Sequence, residues 1–313
     1  MKRVRIEVPA TSANLGPGFD ALGLALDLTD MVTAEFDPEG EETVLAEVRG
    51  EHGLTLDPHD NLLCQAYRLW GTRTSSPLPG VRFTLECRIP PARGFGSSAA
   101  SIVAGLAAAA WAAEEKRPEQ RMLCLADEME GHPDNVAAVV MGGMTIAFRD
   151  GEEVRALHVA NHLEMGIALY IPEVELKTAK ARSCLPREVP LTDAVFDLGR
   201  LGYLITAIIW GRWDCLGPAM EDRLHQPYRS GLMPALPEVI ASARTAGAYG
   251  ASLSGAGPAV IALTPTTKTE AVAGAMEACA RRHGWQGCKR ETAVRATGVT
   301  VQEIKADEEV PPE

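Results

Sequence analysis

Aromatic residues, one-signed charge blocks and long apolar runs are all scarce in this chain, and its cysteines follow no pattern. Seven cysteines in 313 residues form no CxxC pair, which excludes a zinc ribbon and a disulfide scaffold and makes reduced thiols in a cytoplasmic protein the expectation. No run of about 18 uncharged apolar residues occurs outside the Ala-rich stretch after Ser97, whose small side chains suit a buried helix better than a membrane span. The opening MKRVRIEVPATSANLG has basic residues but alternates, where a secretory leader needs an apolar block of about 7–15 residues. Lys and Arg number 30 against 42 Asp and Glu, a net charge of −12, and form no cluster. Nucleic acid and anionic membranes are therefore not expected partners. A polyanionic ligand would need local cations or a metal ion. Neither GxxxxGKS nor GxxxxGKT occurs, so a Walker-type phosphate loop is excluded.

What is present describes a folded α+β protein. At 46% hydrophobic and 23% charged the chain is an ordinary globular sequence, and 5% aromatics implies an interior of Ala, Leu and Val. Its length favours two packed domains or one large composite one, and the change of character from about Gly151 puts a boundary near there. Val4, Ile6 and Val8 alternate with Arg3, Arg5 and Glu7, the period of a half-buried edge or outer strand that Pro9 should stop. A turn-rich segment follows at 11–20, then a strand at 31–36. A helix is expected over 61–70 with Asp60 as N-cap, a strand over 81–89, and helices over 97–115, 118–130 and 135–141, the last ended by Gly142 and Gly143. A strand at 144–148 follows. Beyond residue 151 come a hairpin-like region, strands at 164–171 and 298–304, helices at 198–210, 234–246 and 268–283, and a glycine turn bracketed by apolar runs within 251–263. The tail ADEEVPPE is acidic and Pro-rich, and disorder is expected over 306–313.

Three motifs carry chemistry. PPARGFGSSAAS lies between an expected strand and the start of a helix. Gly94 and Gly96 let backbone approach an anion, the helix terminus adds partial positive charge, and Ser97 and Ser98 offer hydroxyls to phosphate oxygens or Mg²⁺. The string also fits the dinucleotide pattern GxGxxA with Glu114 or Glu115 as the acidic partner, but Pro90 and Pro91 break the strand before it. EGHPDN packs Glu130, His132, Asp134 and Asn135 into one helix end. Phosphoryl transfer to a hydroxyl needs a metal ligand, an orienting or deprotonating group and positioning donors, roles that Glu130, Asp134 and Asn135 could fill; a helix-capping turn is the alternative. SGAGP, with Gly255 and Gly257, is either a ligand-approaching glycine turn or a plain hairpin.

Together with VPATSANLGPGFD at 8–20, these strings resemble, in order and spacing, the three signature motifs of GHMP kinases. EGHPDNVA, ELKTAKAR and DRLHQPYR narrow the resemblance to the homoserine kinase family, over nearly the whole chain. The resemblance implies a GHMP kinase fold: an N-terminal ATP-binding domain at 1–158, like domain 2 of ribosomal protein S5, and a ferredoxin-like C-terminal domain at 159–305. It implies ATP and Mg²⁺, phosphorylation of L-homoserine on the threonine pathway, and a homodimer. Carried over by position, Asn14 and Asp20 face homoserine, with Asp20, His132 and Asp134 around its amino and hydroxyl ends. Arg182 and Arg229 clamp its carboxylate, as arginine forks do. The loop Pro91, Ala92, Arg93, Gly94, Phe95, Gly96, Ser97, Ser98, Ala99 and Ala100, with Asn61, Gly255 and Gly257, surrounds the nucleotide. Ser97 or Ser98 and Glu130 hold Mg²⁺, with Glu128 as the alternative carboxylate. Whether Asp134 is a base or an orienter stays open.

Overall fold

The computed structural model describes residues 2–50 and 56–304; the tail expected to be disordered at 306–313 lies outside them. The chain runs β1 (Lys2–Asn14), β2 (Gly18–Asp37), β3 (Thr43–Gly50), α1 (Leu62–Thr74), β4 (Gly80–Cys87), α2 (Ser97–Ala112), α3 (Glu119–Glu130), α4 (Pro133–Met141), β5 (Met144–Asp150) and β6 (Glu153–Ala160). It continues through β7 (Gly166–Pro172), α5 (Thr178–Ser183), α6 (Leu191–Ile209), α7 (Leu216–Ala219), α8 (Gln226–Arg229), α9 (Leu236–Thr245), β8 (Gly250–Leu253), β9 (Val260–Thr264), α10 (Thr269–Arg282), β10 (Gly287–Thr292) and β11 (Thr300–Ile304).

Among the described residues the strands form a seven-stranded sheet, ordered β11-β1-β2-β4-β3 with β5 and β6 branching from β2, and a four-stranded sheet, β10-β7-β9-β8. Two expectations for β1 fail. Pro9 does not stop it: a register shift between Pro9 and Ala10 absorbs the missing N–H, and the strand continues to Asn14. Nor is β1 an edge strand, because β11 returns from the far end of the chain and pairs Arg3 with Ile304 through Glu7 with Thr300.

Ala-rich α2 is buried along most of its length, from Ala99 to Ala110, and its small side chains let α1, α3 and α4 pack closely around it. α1 is capped by Asn61, not Asp60: the Asn61 Oδ1 accepts from the Cys64 N–H at 3.0 Å. α6 starts seven residues earlier than its apolar run suggested, directly after Pro190.

In the second sheet β7 is buried on both faces, as its continuous apolar run IALYI requires. Ala168 and Tyr170 pack with Val239 of α9 and Val272 and Met276 of α10. Ile167, Leu169 and Ile171 face the larger core with Leu204 and Ile208 of α6. Burying a side chain such as Leu169 contributes about 1.5–3 kcal/mol, so β7 ties the helices on both its faces into one body. The antiparallel order with two helices on one face is the ferredoxin-like arrangement expected for this half.

Candidate active site

The three motifs meet where the two sheets adjoin. The Thr11 N–H donates to the Phe95 carbonyl at 3.0 Å, and the Gly255 N–H donates to Ala13 O at 3.1 Å. Ser254 Oγ bonds Ser12 Oγ at 2.9 Å and Gly94 O at 2.8 Å. Thr11 Oγ1 donates to Asn135 Oδ1 at 2.7 Å, which fixes the start of α4 against the loop. The loop glycines are required twice over. Gly94 (φ +87°) and Gly96 (φ +64°) are in the left-handed region, and a Cβ on them would lie 2.1 Å from Ser254 O and 2.0 Å from Thr11 Oγ1. Gly96 caps α2 without any side-chain bond to the first turn, so the N–H groups of Ser97, Ser98 and Ala99 lack intrahelical partners and present donors at a helix N-terminus.

A cleft of about 100 Å³ opens here, lined by Asn14, Asp20, the loop from Gly94 to Ser98, Glu130, His132, Asp134, Asn135, Arg182, Arg229 and Gly255. His132 Nδ1 donates to Asp134 Oδ1 at 2.7 Å, and the Asn135 N–H donates to the same oxygen at 2.6 Å. Burial acts to lower the His132 pKa, but the hydrogen bond and charge of Asp134, with Glu130 beyond, outweigh it and hold the imidazole above its ordinary value. Asp20, His132 and Asp134 each bring a ligating atom within 4.8 Å of the others. Ser98 Oγ donates to Glu130 Oε2 at 2.6 Å. Glu128 lies elsewhere, half-exposed and paired with Arg73.

Two arginines close the cleft. Arg182 forms a fork with Asp20, at 3.0 and 2.6 Å. Arg229 is 1% exposed and donates to the carbonyls of Ala181 (3.3 Å) and Gly255 (3.0 Å) and to His225 Nδ1 (3.1 Å). Burial, reinforced by the nearby Arg182 cation, lowers the Arg229 pKa. No carboxylate lies within ion-pair distance of Arg229 among the described residues, and its Nη2 makes no hydrogen bond there.

Residues 61–143 match the GHMP kinase N-terminal domain and residues 204–282 the GHMP kinase C-terminal domain. A homoserine kinase of Carboxydothermus hydrogenoformans is 43% identical over 262 residues, 83% of this chain and 84% of that protein. One of Synechocystis is 39% identical over 86% of this chain and 88% of its own length. The chain belongs to the homoserine kinase family. The crystal structure of the Cytophaga hutchinsonii homoserine kinase superposes with a TM-score of 0.86 at 28% identity, covering 96% of this chain and 97% of that one. A Leishmania major mevalonate kinase, with a TM-score of 0.68 at 17% identity over 93% of this chain and 96% of its own, shares the fold.

Within this family member, most of the residues singled out in the sequence line the cleft. Several do not. Arg93 points its side chain to Pro172 O (2.8 Å) and Glu173 O (2.5 Å), bridging the loop to the end of β7. Ala99 and Ala100 are buried inside α2. Gly257 donates to Ser254 O within its own turn. Asn61 and Pro91 line a neighbouring cavity of about 420 Å³ that shares Ala92, Ser97 and Ser98 with the cleft. The Asn61 amide is engaged in the α1 cap and by Asp57 O. Two residues escaped the sequence reading. Phe19 stacks on His225 (5.3 Å between centroids) and underlies both guanidinium groups at 5.6 Å. His225 lies in DRLHQPYR, but nothing local marks it as an arginine partner.

Proposed function

We propose that this chain transfers the γ-phosphoryl group of ATP to the side-chain hydroxyl of L-homoserine, giving O-phospho-L-homoserine and ADP for threonine biosynthesis. Arg229 carries the reading. A buried cation without a carboxylate costs several kcal/mol of desolvation, and a ligand carboxylate would supply the missing partner. Arg182 and Asp20, fork-paired across the cleft, match the two charged ends of an amino acid: Asp20 takes its ammonium and Arg182 joins Arg229 on its carboxylate.

The N–H groups at the start of α2 fit the ATP phosphates, and the neighbouring cavity, walled by Leu45, Leu63, Leu85, Asn61 and Pro91, fits a nucleoside. Ser98 and Glu130, already in contact, with Ser97 beside them, are hard oxygen donors suited to Mg²⁺, which when bound would shield the phosphate charge. The homoserine hydroxyl oxygen bonds to the γ-phosphorus while the bond to the β–γ bridging oxygen breaks, leaving its electrons on ADP. Asp134 orients that hydroxyl through Oδ2, because Oδ1 is held by His132 and Asn135. A loose transition state asks chiefly for this alignment, and the hydroxyl proton leaves with the product phosphate.

A homodimer through α6 is part of the same reading. Leu191, Val195, Leu198 and Ile209 are 79%, 58%, 69% and 60% exposed at spacings that share one helix face. Gly199 and Gly202 have open space above them, so two such helices can approach closely. No helix among the described residues is long and apolar enough to cross a membrane. A cytoplasmic setting accords with seven unpaired cysteines.

An ADP-release assay over homoserine, shikimate and mevalonate tests the substrate. Homoserine should be preferred by kcat/KM. Preference for another alcohol would replace the substrate, and calorimetric homoserine binding without turnover would make the chain a sensor.

A further inference from the structure

We propose that His225 is a positioning residue for substrate recognition: through its Nδ1 it holds the Arg229 guanidinium in the orientation that receives the substrate carboxylate. The inference rests on the reading of Arg229 given above and deepens it. A guanidinium has no acceptor, so in the 3.1 Å contact with Arg229 Nη1 the His225 Nδ1 must be unprotonated. At the other side of the ring, Nε2 lies 2.8 Å from the Gly16 carbonyl, which cannot donate, so Nε2 carries the proton. Both neighbours thus demand one tautomer of a neutral ring. Burial pushes the His225 pKa down, and the Arg229 cation adds to this against the opposing charge of Asp222.

His225 is the one side chain among the three acceptors that fix Arg229, the others being the Ala181 and Gly255 carbonyls. Its own position is set from three directions. Asp222 receives the N–H groups of Leu224, His225 and Gln226 and so pins the start of α8. Phe19 stacks on the ring. Gly16 O anchors it to the turn between β1 and β2, next to Asn14, whose Nδ2 shares the Gly255 carbonyl with Arg229. The imidazole therefore couples the carboxylate-binding arginine to the turn that carries Asn14 and Asp20.

The test compares His225→Leu with His225→Gln, which retains one acceptor and one donor. Removing one hydrogen bond to a charged group should raise the homoserine KM at least about tenfold in the Leu variant, with the ATP KM unchanged. The Gln variant should recover to within about threefold of the parent, and kcat should move little in either. The carboxylate-free analogue 3-aminopropan-1-ol separates the two layers of the argument. If the unmodified enzyme uses it as well as homoserine, the carboxylate reading of Arg229 fails, whatever His225 does. If the enzyme discriminates against it but His225→Leu keeps its homoserine KM, or the Gln variant is as impaired as the Leu variant, the positioning role alone fails. Should the Leu variant not fold, ¹⁵N NMR of the imidazole in the unmodified protein decides: a bare Nδ1 with a protonated Nε2 is expected, and a proton on Nδ1 overturns the proposal.

Discussion

Replacing Arg229 is the most direct way to challenge the account of substrate binding. Its guanidinium is almost fully buried, meets no carboxylate within the described chain, and hydrogen-bonds two carbonyls and an imidazole above the Phe19 ring. Truncating one member of a buried, hydrogen-bonded charge pair costs about 2–5 kcal/mol. At about 1.36 kcal/mol per decade, Arg229→Ala should lower kcat/KM for homoserine by roughly 30- to 5,000-fold. The loss should fall on the homoserine KM, while the ATP KM holds, because the N–H donors of the α2 terminus do not involve Arg229. Arg229→Lys should be intermediate, since it keeps the charge and loses the fork. Loss of a buried cation also relieves desolvation, so the melting temperature should change little, and a thermal melt run beside the coupled ADP-release assay checks this. An unchanged homoserine KM in the folded Ala variant would refute the assignment.

Asp134→Asn should reduce kcat by about 100-fold, the cost of a misaligned nucleophile, measured under saturating substrates; near-normal turnover would remove Asp134 from the reaction. Glu130→Gln should raise the Mg²⁺ concentration required for half-maximal activity, whereas Glu128→Gln, altering a half-exposed pair with Arg73, should not, and titration of both variants distinguishes the two carboxylates. Burial, with the hydrogen bond and charge of Asp222, raises the Asp197 pKa to about 7. A raised folded-state value means stability that is complete below the unfolded carboxyl pKa and is lost as pH rises through about 7. Melts from pH 5 to 8.5 should show that loss, and Asp197→Asn should flatten it; parallel curves would reject the pair as its source. Leu198→Glu on the exposed face of α6 should yield a monomer by light scattering if α6 forms the dimer, and an unaltered mass would point to another surface.

Local pattern in the sequence made most elements of the fold legible, and the failures share a cause. Alternation in Val4, Ile6 and Val8 identifies a strand, but whether its free side is covered depends on β11, nearly 300 residues away. Asp60 and Asn61 are both good caps, and the choice between them follows from how α1 meets Asp57 and Cys64. The motifs were visible as three separate strings; their junction, through Ser12, Gly94 and Ser254, belongs to tertiary packing that periodicity does not encode. Arg182 and Arg229 have no local mark at all and were reached only through family resemblance. His225 and Phe19 were missed because a buried imidazole or ring reads as core until its neighbours are known.

The return of β11 to β1 has a consequence for how the molecule comes together. Synthesis delivers the large sheet early but leaves one flank of β1 bare until residues 300–304 emerge, after the whole second lobe. A fragment stopped near residue 160 would expose that flank as a template for intermolecular pairing. Cutting the chain between its lobes should therefore produce aggregation instead of two independent halves, and the last strand acts as the clasp that releases a finished protein from that hazard.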